Sequence, residues 1–428
     1  MLPCVAVLVL AMVWTASAGG EDRLTPEQQH LNIDSFEHVW TTVRDKHWDP
    51  KLGGLDWQAV HDELRPRLER ATTMEEARAA MEEMLARLKQ THFGIVPAVV
   101  YREMEGGGTG EGKTGIEVRV VDGRALVVSL EPDSPAVRAG VKPGWEIERV
   151  DGKPLAPGLR KVDRSFHDST LRDLMLERAV SSRLSGDEGS HTKVGFRDAL
   201  GQNTTFEMTR SQPRGARFSF GNLPPMYFWV ESRKAAPDVG YVHFNLFFAP
   251  EALTKAVESA VKDCAGCRGF IIDLRGNPGG IGGLALGVAG WFLDQQGLRL
   301  GDMFLRTAKI KFVVFPRPEP FRGPLAILVD GCSASTSEIL AGGMKDLKRA
   351  RIFGTRTAGA ALPSVFERLP NGDGFQYAIA NYISEGGKQL EGAGVIPDQL
   401  AAPSRRELLA GHDTALDRAL AWIASSKN

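Results

Sequence analysis

Between Asp34 and Leu88 apolar residues recur at helical spacing, in "SFEHVWTTVRDKHW", "DWQAVHDELRPRLERA" and "TMEEARAAMEEMLARLKQ", with charged residues filling the other faces. The pattern predicts an N-terminal helical region. The glycine run Gly106–Gly108 in "EMEGGGTGEGK" predicts a linker, and the pattern changes after it. "TGIEVRVVDGRALVVSLEPDSPAVRAGVKPGWEIERVDGKPL" alternates short β-branched strands with tight turns and carries one short helix at "SPAVRAG". "HTKVGFRDALGQNTTFEMTR" adds further strands and closes this β-rich unit near residue 212. From Val239 strands and helices alternate: "GYVHFNLF", helix "PEALTKAVESAVKD", strand "GFIIDLR", a glycine turn, helix "GGLALGVAGWFL", strand "PLAILVD" and a helix at "SEILAGGMKDL". Such alternation predicts an α/β domain with its chemistry at the loops beyond the strand ends. The expected division is 1–18, 19–105, 106–212 and 213–428.

Composition narrows the function classes. The 428 residues are 43% hydrophobic with a formal net charge of -1, enough for several cores and without the basic excess that nucleic acid demands. The first 18 residues, "MLPCVAVLVLAMVWTASA", are an apolar run that ends in a small-residue pattern before polar sequence. They read as an export signal cleaved near Ala18, with an uncleaved anchor as the alternative, although the run is shorter than the roughly 20 residues of a spanning helix. The expected location is periplasmic or secreted, with no stable membrane span after signal removal, and the oligomeric state is open. Cys264 and Cys267 in "KDCAGCRG" have no second pair to build a zinc site, so in an oxidising compartment a small surface disulfide is expected. Neither metal nor organic cofactor is implied.

Candidate chemistry gathers at two turns. "DGCSASTSEILAGGMKD", residues 330–346, sets hydroxyls on a strand-to-helix turn, where unpaired helix N–H groups can stabilise an oxyanion. Ser335 followed by Glu338 also fits a capping box that needs no catalysis. "GFIIDLRGNPGGIGG" puts glycines directly after a buried strand; it lacks the Walker lysine and the dinucleotide spacing, which ranks an oxyanion hole above a phosphate loop.

"IIDLRGNPGG", "SASTSEILAGGMKD", "GTRTAG" and "LEGAGVIPD" occur in the order and approximate spacing of the C-terminal processing (tail-specific) serine proteases and their tricorn-like relatives, which the chain resembles over nearly all of its length after the export signal. The resemblance implies a crotonase-like α/β catalytic domain, an N-terminal helical region and an inserted β-rich PDZ domain. It implies a serine endopeptidase acting on protein or peptide substrates, with Ser335 as nucleophile and an oxyanion hole from the amides of Thr336 and of Gly279 or Gly280. The PDZ unit would bind an extended peptide, by its C-terminus, around "KTGIEV", at Gly115 and Ile116.

One departure decides the mechanism. The lysine-dependent branch places its base directly after a T-x-G tripeptide; here Thr357, Ala358 and Gly359 are followed by Ala360. An unassisted serine is a poor nucleophile. The tricorn-like branch uses a histidine instead, and "LARLKQTHFGIVP" offers His92 as base, with Thr91 and Glu391 to hold it. His243 and Lys388 are the rivals for that role. A histidine base predicts activity that rises with an apparent pKa on the order of 6 to 7. Two other classes compete: a catalytically inactive binding protein on the same fold, which the missing lysine favours, and an acyl-CoA enzyme, which the export signal and the PDZ-like unit oppose.

Overall fold

The computed structural model describes residues 6–8, 23–98, 111–219, 221 and 226–426. The expected cleavage point near Ala18 and the Gly106–Gly108 linker lie outside them. Among the described residues no helix is long and apolar enough to cross a membrane.

Three helices, Pro26–Lys46, Trp57–Glu69 and Met74–Ala86, open the chain, with Thr25, Asp56 and Thr73 accepting backbone N–H bonds at their starts. Their apolar stripes bury Phe36, Val43, Leu64 and Met81 against Phe375 and Tyr377. Strand Gly94–Val96 then pairs antiparallel with Gly374–Ala378, Ile95 opposite Phe375. The turn that carries Thr91 and His92 is thereby held between the helices and the C-terminal half of the chain.

The β-rich unit is a sheet of strands Asn203–Thr209, His191–Arg197, Glu146–Val150, Arg124–Leu130 and Ile116–Val121, in that spatial order. Strand Ile116–Val121 is its edge. The expected short helix is present at Pro135–Arg138, and two more, Ala156–Ser165 and Arg172–Leu184, go beyond the reading from sequence. Their Leu159, Leu176 and Val180 fill a core with Val118, Val127, Ile147 and Phe196.

The α/β region has the strand order Val230–Ala236, Val239–Phe244, Gly269–Asp273, Leu325–Val329, Arg351–Gly354 and Gln399–Leu400; the first pair is antiparallel and the others are parallel. Both faces are covered. Phe270, Ile272, Ile327 and Val329 meet helices Pro250–Lys262, Gly282–Ala289 and Thr336–Asp346, while Ile271, Ala326 and Leu328 meet helix Thr414–Ser425. Two-sided burial is why "GFIID" and "LAILV" are unbroken apolar runs. Residues 6–8 form a strand antiparallel to Gly279–Ile281. Cys264 and Cys267 are disulfide-bonded as expected, and Cys332 is a buried free thiol.

At the strand ends Arg275 donates to Asp273 at 2.6 Å and to both oxygens of Asp413 at 2.8 Å, and Tyr241 donates to Asp273 at 2.8 Å. Asp273 is fully buried. Burial alone would raise its carboxyl, but Arg275, and His243 beyond it, hold it well below the usual carboxylate range. The stability it contributes is therefore present at neutral pH and lost only in acid. Removing one partner of such a pair orphans the other charge. Arg275→Met should cost about 3–5 kcal/mol of stability at neutral pH. The deficit relative to the parent should shrink towards about pH 4, as the orphaned Asp273 takes up a proton. Thermal midpoints of both proteins at the two pH values check this; a deficit that stays constant with pH would contradict it.

Candidate active site

Strand Leu325–Val329 leads into a loop that ends at Ser335, and helix Thr336–Asp346 follows. Most of the hydroxyls in this loop are structural ties. Ser333 Oγ donates to the Leu274 carbonyl at 2.8 Å, Thr336 Oγ1 to that of Gly280 at 3.0 Å and Ser337 Oγ to that of Asn277 at 2.9 Å. These bonds bind the serine loop to the glycine turn after strand Gly269–Asp273. Asp330 reinforces the junction, accepting the amides of Gly276 and Cys332, each at 3.0 Å, and Arg119 Nε at 2.6 Å. Arg119 lies on the edge strand of the β-rich unit, so that unit is tied directly to the serine loop.

Ser335 differs from its neighbours. It is fully buried with φ 62° and ψ -116°, a strained backbone for a residue with a side chain. Its amide donates to Glu338 Oε2 at 2.8 Å.

The glycine turn presses against it. A Cβ on Gly279 would lie 2.7 Å from Ser335 Cβ, and one on Gly280, at φ 143°, would lie 2.2 Å from the Phe247 carbonyl oxygen. Only glycine fits at either position. Of these two oxyanion-hole candidates, Gly279 is excluded in this conformation, because its amide is donated to Asn277 Oδ1 at 2.9 Å. Gly280, which stands opposite Val7 in the strand pairing, and Thr336 at the helix start remain as the candidate pair.

His92 stands at φ 62° and is 4% exposed. Its Nδ1 is 2.7 Å from Thr91 Oγ1. That hydroxyl donates to Glu391 Oε2 at 2.9 Å, and the Thr91 amide donates to Oε1 at 2.9 Å. With the hydroxyl proton committed to Glu391, its oxygen accepts from Nδ1–H, which leaves Nε2 as the ring's lone-pair nitrogen. Nε2 is buried with no hydrogen-bond partner among the described residues. Burial, with the nearby Arg178 cation adding to it, pushes the imidazole down to about 3. This corrects the expectation of a histidine titrating between 6 and 7: His92 stays neutral through that range. Burial raises the Glu391 carboxyl, against the bonds from Thr91 and Ala361.

Ser335 and His92 come from distant parts of the chain, and one short segment meets the supports of both. The Ala360 amide donates to Glu338 Oε2 at 2.9 Å and the Ala361 amide to Glu391 Oε2 at 2.9 Å. Ala360 itself packs with Leu174, Met175, Cys332, Ala334 and Ala358, an apolar cluster where the lysine-dependent enzymes would carry their base. The rivals stand elsewhere. Lys388 is exposed and donates to Asp346 at 3.3 Å, and Asp346 also accepts the Gly386 amide, a structural tie. The His243 ring packs edge-on against Trp229 and lines a cleft of about 870 Å³ with Arg275 and Asp330. Gly115, at φ 76°, and Ile116 sit where the edge strand of the β-rich unit begins. A Cβ on Gly115 would lie 2.1 Å from Ser134 Cβ. Among the described residues no acidic, histidine or cysteine cluster is built to hold a metal ion.

The profile of peptidase family S41 matches residues 238–401, and that of the tricorn protease C1 domain matches residues 34–86. A carboxyl-terminal-processing protease of Picosynechococcus sp. is 28% identical over 411 residues, which span 93% of this chain and 88% of the relative. Carboxyl-terminal-processing peptidase 2, chloroplastic, of Arabidopsis thaliana is 27% identical over 386 residues, 85% of this chain and 67% of the relative. The photosystem II D1 C-terminal processing protease shares the fold at a TM-score of 0.57 and 24% identity, over 92% of this chain and 99% of its own. The tricorn protease does so at 0.52 and 16% identity, over 92% of this chain and 37% of its own. Residues 238–401 match peptidase family S41, and with the mixed α/β fold and these relatives the protein is a serine-type peptidase.

Proposed function

We propose that the protein is an exported endopeptidase of the carboxyl-terminal-processing kind in which Ser335 attacks the peptide carbonyl and His92 replaces the lysine of its relatives as base. The observation that carries this reading is the His92–Thr91–Glu391 chain. A base needs a defined tautomer and direction, and the chain supplies both, leaving Nε2 unprotonated in a dry site. His92 Nε2 accepts the Ser335 hydroxyl proton as the Oγ–C bond forms, and returns it to the leaving amine as the C–N bond breaks. The oxyanion is received by the amides of Gly280 and Thr336. Burial makes the neutral imidazole the stable form, so the protonated ring exists only alongside the oxyanion that offsets it. Water then attacks the acyl-enzyme carbonyl and gives a proton to His92, which passes it to Ser335 Oγ as the ester C–O bond breaks.

The β-rich unit acts in this reading as a PDZ module. A substrate C-terminus adds as a strand along Ile116–Val121, and its carboxylate is received at the turn of Gly115. The support is the edge position of that strand, and the Arg119–Asp330 bond fixes it relative to the serine loop.

Ser335→Ala should abolish labelling by a fluorophosphonate probe and turnover of a peptide. His92→Ala should lose about as much turnover, since residues acting as one unit give non-additive losses. His243→Ala and Lys388→Ala should cost far less. Near-normal turnover in His92→Ala, or labelling that survives Ser335→Ala, would overturn the mechanism. For the module, amidating the C-terminus of an unstructured protein substrate should raise its KM, while a short ester is hydrolysed as before. Equal kinetics for free and amidated termini would contradict carboxylate capture.

A further inference from the structure

Glu338 takes no part in the proton transfer just described, yet its side chain is fully buried and accepts four hydrogen bonds. Oε2 receives the amides of Ser335 at 2.8 Å and Ala360 at 2.9 Å; Oε1 receives Thr357 Oγ1 at 2.6 Å and the Gly359 amide at 2.8 Å. A glutamate that only caps its helix needs the first of these. The other three come from a segment beyond the helix, the one whose Ala361 amide holds Glu391. We propose that Glu338 is a positioning residue for the reaction, clamping the Ser335 amide to the Thr357–Ala360 segment so that nucleophile and base keep one register. The inference rests on the reading of Ser335 as nucleophile.

All four donors are uncharged. The ionisable groups on the elements around the carboxylate, Lys345 and Asp346 on its own helix, Asp330 and Cys332 on the serine loop, Arg356 and Glu391 flanking the segment, His92, and Arg178 with the other charged residues of helix Arg172–Leu184, supply none of the four bonds. Burial raises the Glu338 carboxyl to about 7, with the four donors opposing the rise. Each oxygen faces two N–H or O–H groups. A proton added to Oε2 meets only N–H groups and displaces one of them, and one added to Oε1 has to be donated to the Thr357 hydroxyl, which then loses its own acceptor. The clamp is therefore complete above about pH 7 and weakens as pH falls through that value, a range in which His92 is already neutral.

The test follows kcat and KM for a peptide, and the fluorophosphonate labelling rate, from about pH 5 to 9 in the full chain. The proteins compared are the parent, Ser335→Ala, Glu338→Gln and Thr357→Val. The amide of glutamine cannot accept at both ends. Glu338→Gln should therefore show roughly a hundred-fold lower kcat, the scale of a small misplacement of reacting groups. Its KM should be little changed, and the ascending limb near neutrality should vanish. Thr357→Val removes one donor that favours the ionised carboxylate, so its limb should move to higher pH; this variant decides the matter should Glu338→Gln fail to fold. Parental kcat and limb in Glu338→Gln, or an unmoved limb in Thr357→Val, would overturn the inference while an inactive Ser335→Ala leaves the nucleophile standing. Activity surviving in Ser335→Ala would overturn both together.

Discussion

The candidate site depends on two buried carboxylates held by consecutive amides. Ala360 N–H meets Glu338 and Ala361 N–H meets Glu391. Glu338 in turn holds the Ser335 amide, and Glu391 holds Thr91 by both its amide and its hydroxyl. The two amides are separated only by the φ and ψ of Ala360, and the packing that buries this residue holds both dihedrals, so the two carboxylates keep one offset. Groups separated by hundreds of residues thus share one rigid reference. The bonds are charge-assisted wherever the carboxylate is ionised, and they lie in a dry interior where each is stronger than its counterpart in water.

The same dryness sets the protonation states. Desolvation disfavours every charge, which raises both glutamates and lowers His92. What separates the two kinds of group is hydrogen bonding. Each glutamate is surrounded by donors that favour its anion, whereas His92 Nε2 has none, and the nearby Arg178 cation further disfavours a second positive charge. A proton placed on His92 is therefore unfavourable until negative charge appears beside it, which is the condition met when an oxyanion forms.

The α/β core was legible because period and burial coincide there. "GFIID" and "LAILV" are buried on both faces and read as unbroken apolar strands, and the helix start at Ser335 was marked by Glu338 three residues on. The helices Ala156–Ser165 and Arg172–Leu184 leave no such signal, since they sit among strand-like pieces and the turn pattern around them dominates. The candidate pair His92 and Glu391 came from family resemblance, because a contact between Thr91 and Glu391 spans 300 residues and leaves no local pattern. For the same reason the second role of Glu338 was invisible. A capping glutamate and a four-donor clamp have the same sequence signature, and only the arrival of residues 357–360 separates them.

The alanine at position 360 explains why the β-rich unit is more than an appendage. Its methyl group is covered by Leu174 and Met175, which belong to helix Arg172–Leu184 of that unit, and the same helix lies against Cys332 and Ala334 beside the nucleophile. A lysine there would have to bring an ammonium into this apolar cluster, at a desolvation cost that rises with every contact the helix makes. Withdrawing the helix would instead admit water to the segment that holds both carboxylates. Water would relieve the burial that keeps Glu338 and Glu391 raised and His92 neutral. In the mechanism proposed, then, the electrostatics of the site are set by contacts from a unit that carries none of the reacting groups, and Arg119, donating to Asp330 from the edge strand of that unit, fixes the distance at which those contacts are made.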